Sequence, residues 1–116
     1  MAVTGVGVDI VKIRRFKKNF GRRFIERCFT ASEMAYIETK GAASMAGLFA
    51  AKEAAAKAIG TGFSGFWPCD IEVTRDERGK PYIVLHGKAK AAANGAEIHI
   101  SISHTDDDAV AFAVAV

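Results

Sequence analysis

Glu53 and Lys57 stand four residues apart in Phe49-Ala50-Ala51-Lys52-Glu53-Ala54-Ala55-Ala56-Lys57. On a helix that spacing puts a carboxylate and an ammonium on one face. The plain reading is a solvated ion pair worth roughly 0.2–0.5 kcal/mol. The neighbours are nearly all Ala, however, so little side-chain bulk shields the pair, and a backbone or a ligand can come close. A carboxylate for a hard cation and a lysine for phosphate oxygens would suit a metal-bound phosphate. Asp9 closes Gly5-Val6-Gly7-Val8-Asp9. The third glycine of a dinucleotide-binding turn is missing, and we reject that reading. A carboxylate at the end of an apolar strand needs a partner, and capping a following helix would supply one. That role is compatible with metal binding if only one oxygen caps. In Ile98-His99-Ile100-Ser101-Ile102-Ser103-His104 the Ile side chains face one way and His99, Ser101 and Ser103 the other. A Ser/His nucleophile pair would need neighbours on one face and a third member, and the spacing offers neither. By default His104 is an exposed turn histidine, with phosphate contact as its functional alternative. Gly79-Lys80-Pro81 reads by default as a turn entering a strand.

These residues must be positioned by a short set of elements. Ala2–Asp9 is Val-rich and reads as a buried strand ending at Asp9. From Ile10 to about Cys28, Ile13, Phe16, Phe20 and Phe24 recur at helical spacing among Lys and Arg, which predicts a basic amphipathic helix with a break near Gly21. Thr30 followed by Glu33 is a capping box for a second helix running to about Lys40. Ala42–Ile59 reads as the longest helix, stopped by Gly60-Thr61-Gly62. Asp70–Arg75 and Pro81–His86 alternate as a hairpin around Asp76-Glu77-Arg78-Gly79. A short helix over 87–95 and strands over 97–103 and 110–116 complete an α+β fold, with helices packed on a mostly antiparallel sheet.

A length of 116 residues fits a single domain over 1–116 with one modest core. Half the residues are apolar and a quarter charged, an ordinary globular balance. Neither a signal peptide nor a membrane span is legible, so we expect a cytoplasmic protein without membrane partners. Cys28 and Cys69 lack metal-ligand spacing and read as two reduced thiols. The net charge of +3 is uneven: residues 1–40 carry nine Lys/Arg against four Asp/Glu, while 41–116 carry seven against nine. A basic N-terminal third suggests an acidic partner or a phosphate-rich ligand. Nucleic acid is the weaker candidate: the basic segment lacks a Gln/Asn-rich face for reading bases, and its Phe residues look committed to a core. The same core commitment argues against attachment to an anionic membrane surface.

Taken in order along the chain, Gly5–Ile10, Phe29-Thr30 with Glu33, Phe49–Ala54, Lys57-Ala58, Gly60-Thr61-Gly62, Asp70–Val73, Gly79-Lys80-Pro81, Leu85 with Gly87, Ser101–His104 and Ala109 with Ala111 resemble the holo-acyl-carrier-protein synthase family of small phosphopantetheinyl transferases. The resemblance implies a homotrimer with active sites at subunit interfaces. It implies Asp9 and Glu53 as ligands of Mg2+ and Lys57 as a catalytic lysine near the phosphates of coenzyme A. Lys52, Gly60, Thr61, Gly62, Lys80, Pro81, His104 and Thr105 would border that substrate. Arg14, Lys18 and Arg22 would receive the acidic helix of an acyl carrier protein, in fatty acid biosynthesis. Relatives with an arginine just before the Phe-Ala-Ala-Lys-Glu-Ala motif can contact phosphate there; this chain has Leu48, so affinity would rest more on Lys52, Lys57 and Lys80. A relative that binds coenzyme A but has lost transfer is the remaining alternative, and intact Asp9, Glu53 and Lys57 argue against it.

Overall fold

The computed structural model describes residues 2–116. Its strands are β1 (Gly5–Lys12), β2 (Ile71–Arg75), β3 (Pro81–Leu85), β4 (Ile98–His104) and β5 (Asp108–Ala115). Its helices are α1 (Arg22–Cys28), α2 (Ala31–Lys40), α3 (Ala42–Ile59) and α4 (Gly87–Ala93). The fold is α+β, as expected. β1, β5 and β4 form an antiparallel sheet in that order, and β2 and β3 form the hairpin.

The Ala-rich sequence of α3 has a direct structural use. Ala50, Ala51, Ala54, Ala55 and Ala56 are completely buried, as are Ala109 and Ala113 of β5. With methyl groups alone between them, helix and sheet backbones approach closely. Gly5 and Gly7 carry this furthest: a Cβ on Gly5 would lie 1.9 Å from the Ala58 carbonyl oxygen, and one on Gly7 would lie 2.0 Å from that of Ala54. The GxG of β1 is therefore a helix-contact surface. Gly60, in the left-handed region at φ 97°, ends α3, and the N–H groups of Gly60, Thr61 and Gly62 all donate to Ala56 O.

The N-terminal segment differs from expectation. β1 does not stop at Asp9 but pairs with β5 through Lys12, whose ammonium meets Asp108 at 3.2 Å. Asp9 is thus mid-strand and caps no helix. β-Branched Ile10 and Val11 favour this continuation. The predicted basic helix over 10–28 is replaced by the end of β1, one 3-10 turn at Ile13–Phe16, and α1 beginning after Gly21. The helical spacing of the Phe residues marks an aromatic cluster instead: Phe16–Phe20 and Phe20–Phe24 ring centroids lie 5.7 and 4.5 Å apart. Nor is β1 buried on both faces, because Val6, Val8 and Ile10 are exposed.

Thr30 and Glu33 form the capping box. Glu33 is also a fully buried carboxylate paired at 2.8 Å with the fully buried ammonium of Lys52. Lys52 donates further to Ile71 O (2.6 Å) and Pro68 O (3.3 Å), while Glu33 accepts from Val73 N (2.8 Å). This network ties α2, α3 and β2 together. Burial pushes the Lys52 ammonium down from its ordinary range, and Glu33 opposes that shift. Lys52→Met strands the Glu33 carboxylate in the core, so we expect a loss of about 3 kcal/mol or more in urea unfolding. The folded fraction should keep its KM for coenzyme A, because Lys52 is out of reach of any surface ligand.

Candidate active site

Asp9 and α3 meet because the two glycines before it let β1 lie against the helix. Residues 5, 7 and 9 share a strand face, so the carboxylate follows Gly5 and Gly7 onto the α3 side. There Lys57 donates to Val8 O at 2.9 Å and to Asp9 Oδ1 at 3.3 Å. The Glu53–Lys57 pair expected from spacing is therefore redirected: the lysine bridges helix to strand. Its side chain remains half exposed and Asp9 is 18% exposed, so both face an open site.

Glu53 lies one turn before Lys57 on the same face. Burial raises its pKa, the negative charge of Asp9 raises it further, and Lys57 and Arg15 pull it back. Two carboxylates close enough to repel, with solvent access, make a fitting place for a hard divalent cation. Among the described residues no three His, Cys, Asp or Glu side chains converge into an all-protein cage. One or two carboxylates completed by phosphate oxygens and waters is the usual arrangement of magnesium. The donor chemistry fits that ion.

The other sequence-derived residues distribute as follows. Lys52 is corrected: its ammonium is consumed in the core and borders no ligand site. Leu48 is also a core residue, 1% exposed. Gly60, Thr61 and Gly62 cap α3 just beyond Lys57. Lys80 and Pro81 line a cleft of about 340 Å3 with Tyr82, Glu97 and His99. Asp9, Glu53 and Lys57 do not border that cleft. His104 ends β4, exposed, its Nδ1 3.1 Å from Thr105 O. Thr105 Oγ accepts from Asp107 N and Asp108 N, ordering the turn into β5. Arg14 and Lys18, with Arg15, rim a groove of about 550 Å3 floored by Phe16, Phe20, Phe24 and Phe49. Arg22 does not line that groove; it opens α1 and is paired with Glu26 at 2.6 Å.

One group was not singled out from the sequence. Phe24, Phe49, Phe63, Phe66 and Trp67 line an aromatic groove of about 480 Å3 that Glu53 borders. Phe49, one turn before Glu53 on α3, was the available signal.

The sequence pattern of the 4'-phosphopantetheinyl transferase superfamily matches residues 5–115. The chain belongs to this family. Holo-[acyl-carrier-protein] synthase of Alkaliphilus metalliredigens is 49% identical, over 97% of this chain and 98% of its own. That of Clostridium acetobutylicum is 47% identical over 97% and 96%. Among solved structures, the Helicobacter pylori synthase in complex with coenzyme A superposes with a TM-score of 0.85 at 33% identity, covering 96% of this chain and 99% of that one. The Bacillus anthracis synthase in complex with CoA (3',5'-ADP) gives 0.80 at 37% identity, with 97% and 96% covered. Against this transferase fold the Asp9–Lys57–Glu53 cluster occupies the junction of β1 and α3, where the two backbones are held closest.

Proposed function

We infer that the chain transfers the 4'-phosphopantetheine group of coenzyme A to a serine of an apo acyl carrier protein, giving the holo carrier and 3',5'-ADP. The observation that carries the site assignment is the convergence of Asp9 from β1 with Glu53 and Lys57 from α3, Asp9 and Lys57 being 48 residues apart in sequence. Asp9 and Glu53 would hold Mg2+, which when bound offsets charge on the pyrophosphate oxygens. Lys57, half exposed, keeps a donor free to turn toward a phosphate oxygen while holding Asp9 in place. The serine oxygen forms its bond to the phosphorus that bears pantetheine. The bond from that phosphorus to the bridging oxygen breaks, and 3',5'-ADP leaves with the electron pair. The hydroxyl proton is taken up in the site by Glu53 or by a water oriented by Asp9. Positioning and electrostatics do most of the work, as in other phosphoryl transfers.

The basic groove of Arg14, Lys18 and their aromatic floor suits the acidic helix of the carrier protein, and Arg22 at the start of α1 would add to it. Lys80, Pro81, His104 and Thr105 would reach coenzyme A from a neighbouring protomer. The register supports such assembly. Val8 lies opposite Phe112 and Phe112 opposite Ser101, so Val6, Val8, Ile10 and Phe112 share one open sheet face. These four side chains are 48–65% exposed, an apolar patch that wants a cover. A homotrimer built on that face would supply it. Phe112→Lys should then give monomers by light scattering and lose at least about tenfold in activity at micromolar protein.

No helix of the described residues is long and apolar enough to cross a membrane; a cytoplasmic role in fatty acid biosynthesis is the setting we propose for this activity. Intact-mass analysis of an apo carrier protein incubated with the enzyme, coenzyme A and Mg2+ tests the assignment. The expected result is one added phosphopantetheine mass per carrier; its absence at every enzyme concentration would overturn the reading.

A further inference from the structure

Cys28 and Cys69 are the only thiols of the chain, both are free, and no step of the proposed transfer uses either. The fold nonetheless brings them to one place. Cys28 is the buried last residue of α1, and Cys69 is half-buried in the 3-10 turn Pro68–Asp70 that enters β2. Cα atoms of α1 and of that turn come within 8 Å of one another. Their neighbours show how the two segments face. The Arg27 guanidinium lies over the Trp67 indole at 4.5 Å. The Lys52 ammonium is 5.6 Å from the Phe29 ring centroid and 3.3 Å from Pro68 O. The residue after Cys28 and the residue before Cys69 therefore meet at the same buried charge.

The sulfurs also register one another. Burial raises the pKa of Cys28, Lys52 pulls it back, and the charge of a Cys69 thiolate raises it again. Burial and then Asp70 raise that of Cys69, against Lys52. A charge on one acts on the other only across a short distance. Two weakly ionised thiols held side by side suit a latch that stays open until an oxidant reaches the more exposed one. A disulfide holds its Cα atoms about 4.4–6.8 Å apart with the sulfurs bonded, so closure fixes the end of α1 on the turn. Cys28 and Pro68 both line the groove that Glu53 borders. Pro68 O is also an acceptor of Lys52, the residue before Glu53. Bonding the sulfurs thus repositions the wall beside the proposed metal ligand.

We propose that Cys28 and Cys69 are a redox latch, which a hydroperoxide closes to a disulfide that pins α1 to the Pro68–Asp70 turn and slows transfer at Glu53. The half-buried Cys69 reacts first. Its thiolate attacks one oxygen of the hydroperoxide, the O–O bond breaks, and an alcohol or water leaves, so that Cys69 becomes a sulfenic acid. The Cys28 sulfur then attacks that sulfur, its proton goes to the departing hydroxide, and water leaves as the S–S bond forms. The two thiols lose two electrons and the peroxide gains them. A dithiol reductant reverses the step. The effect on transfer rests on the transferase reading above; the latch itself does not.

Treat the whole protein with hydrogen peroxide and follow its intact mass, its alkylation by iodoacetamide and its transfer of phosphopantetheine to an apo carrier protein. The expected product has lost two hydrogens, resists alkylation and yields one linked peptide pair containing Cys28 and Cys69. Its transfer rate should fall by at least about tenfold, because small displacements beside a reacting group cost that much or more. Dithiothreitol should restore the rate. Cys69→Ser should transfer as the untreated wild type does and keep that rate under peroxide. Cys28→Ala should gain oxygen on Cys69 in place of the link. Oxygen added to wild-type Cys69 without a link, a link only between molecules, or a linked form that transfers at full rate would overturn the proposal. Absence of transfer in the reduced protein would overturn the transferase reading and with it the effect on rate, while the link would still be read by mass.

Discussion

Glu53→Gln is expected to lower kcat by about a thousandfold while leaving the metal-free fold at least as stable as the wild type. The first half follows from losing one of the two carboxylates proposed to hold Mg2+, the ion that would offset charge on the phosphates. The second half follows from the direction of its titration. Burial first, and then Asp9, raise the pKa of Glu53 above its ordinary value. Between the unfolded and folded pKa values the native state binds the extra proton, so stability falls as pH rises through that window. At neutral pH the charged carboxylate therefore destabilises the native state, and an amide of the same shape removes the penalty. Below the ordinary glutamate range both states are protonated, and the advantage of the variant vanishes. Thermal melts at pH 4 and pH 7.5, with and without Mg2+, read both effects. Mg2+ should raise the wild-type Tm and leave the variant unmoved. A variant that melts well below the wild type at pH 7.5 would contradict the assignment of Glu53 as a strained, ligand-awaiting carboxylate.

Gly7→Ala is the second large effect, and it acts on the fold. The added methyl would lie 2.0 Å from the Ala54 carbonyl oxygen and 2.9 Å from both its carbonyl carbon and Lys57 Cβ. Two of these atoms are helix backbone and cannot swing aside. Either α3 moves outward or β1 loses its pairing with β5, and both disturb the only approach that brings Asp9 to Lys57. We expect destabilisation beyond about 4 kcal/mol, the tail of single-substitution effects. Urea unfolding followed by circular dichroism measures it. A variant that folds with near-wild-type stability would mean that β1 and α3 have room to separate.

Elements announced by local chemistry were legible in the sequence. The Thr30–Glu33 capping box, the Gly60 stop and the Asp76–Gly79 turn with its flanking strands each depend on neighbours within a few residues. What was missed depends on partners far along the chain. Whether Ile10 and Val11 extend a strand or open a helix is decided by β5, about 100 residues away. Lys52 and Glu53 are adjacent, and nothing local says which turns inward; Glu33 and the carbonyls of Pro68 and Ile71 decide it. Lys57 was placed with Glu53 by helical spacing, yet the backbone of β1 offered it a better acceptor. The candidate site residues could be proposed as a set because they occur in one ordered pattern, while their individual contacts needed the packing.

The Lys52–Glu33 tie has a consequence for how this chain can change over generations. Losing either charge alone strands the other in a fully buried place. Losing both would still orphan the Val73 and Thr30 amides that Glu33 accepts from, and the carbonyls that Lys52 donates to. Every one-letter neighbour at these two positions is thus a step downhill in stability, and the joint step is no refuge. The pair is held by the core around it, without touching substrate. Of these two adjacent residues, Lys52 would then answer to the fold, and Glu53, the proposed metal ligand, to the chemistry.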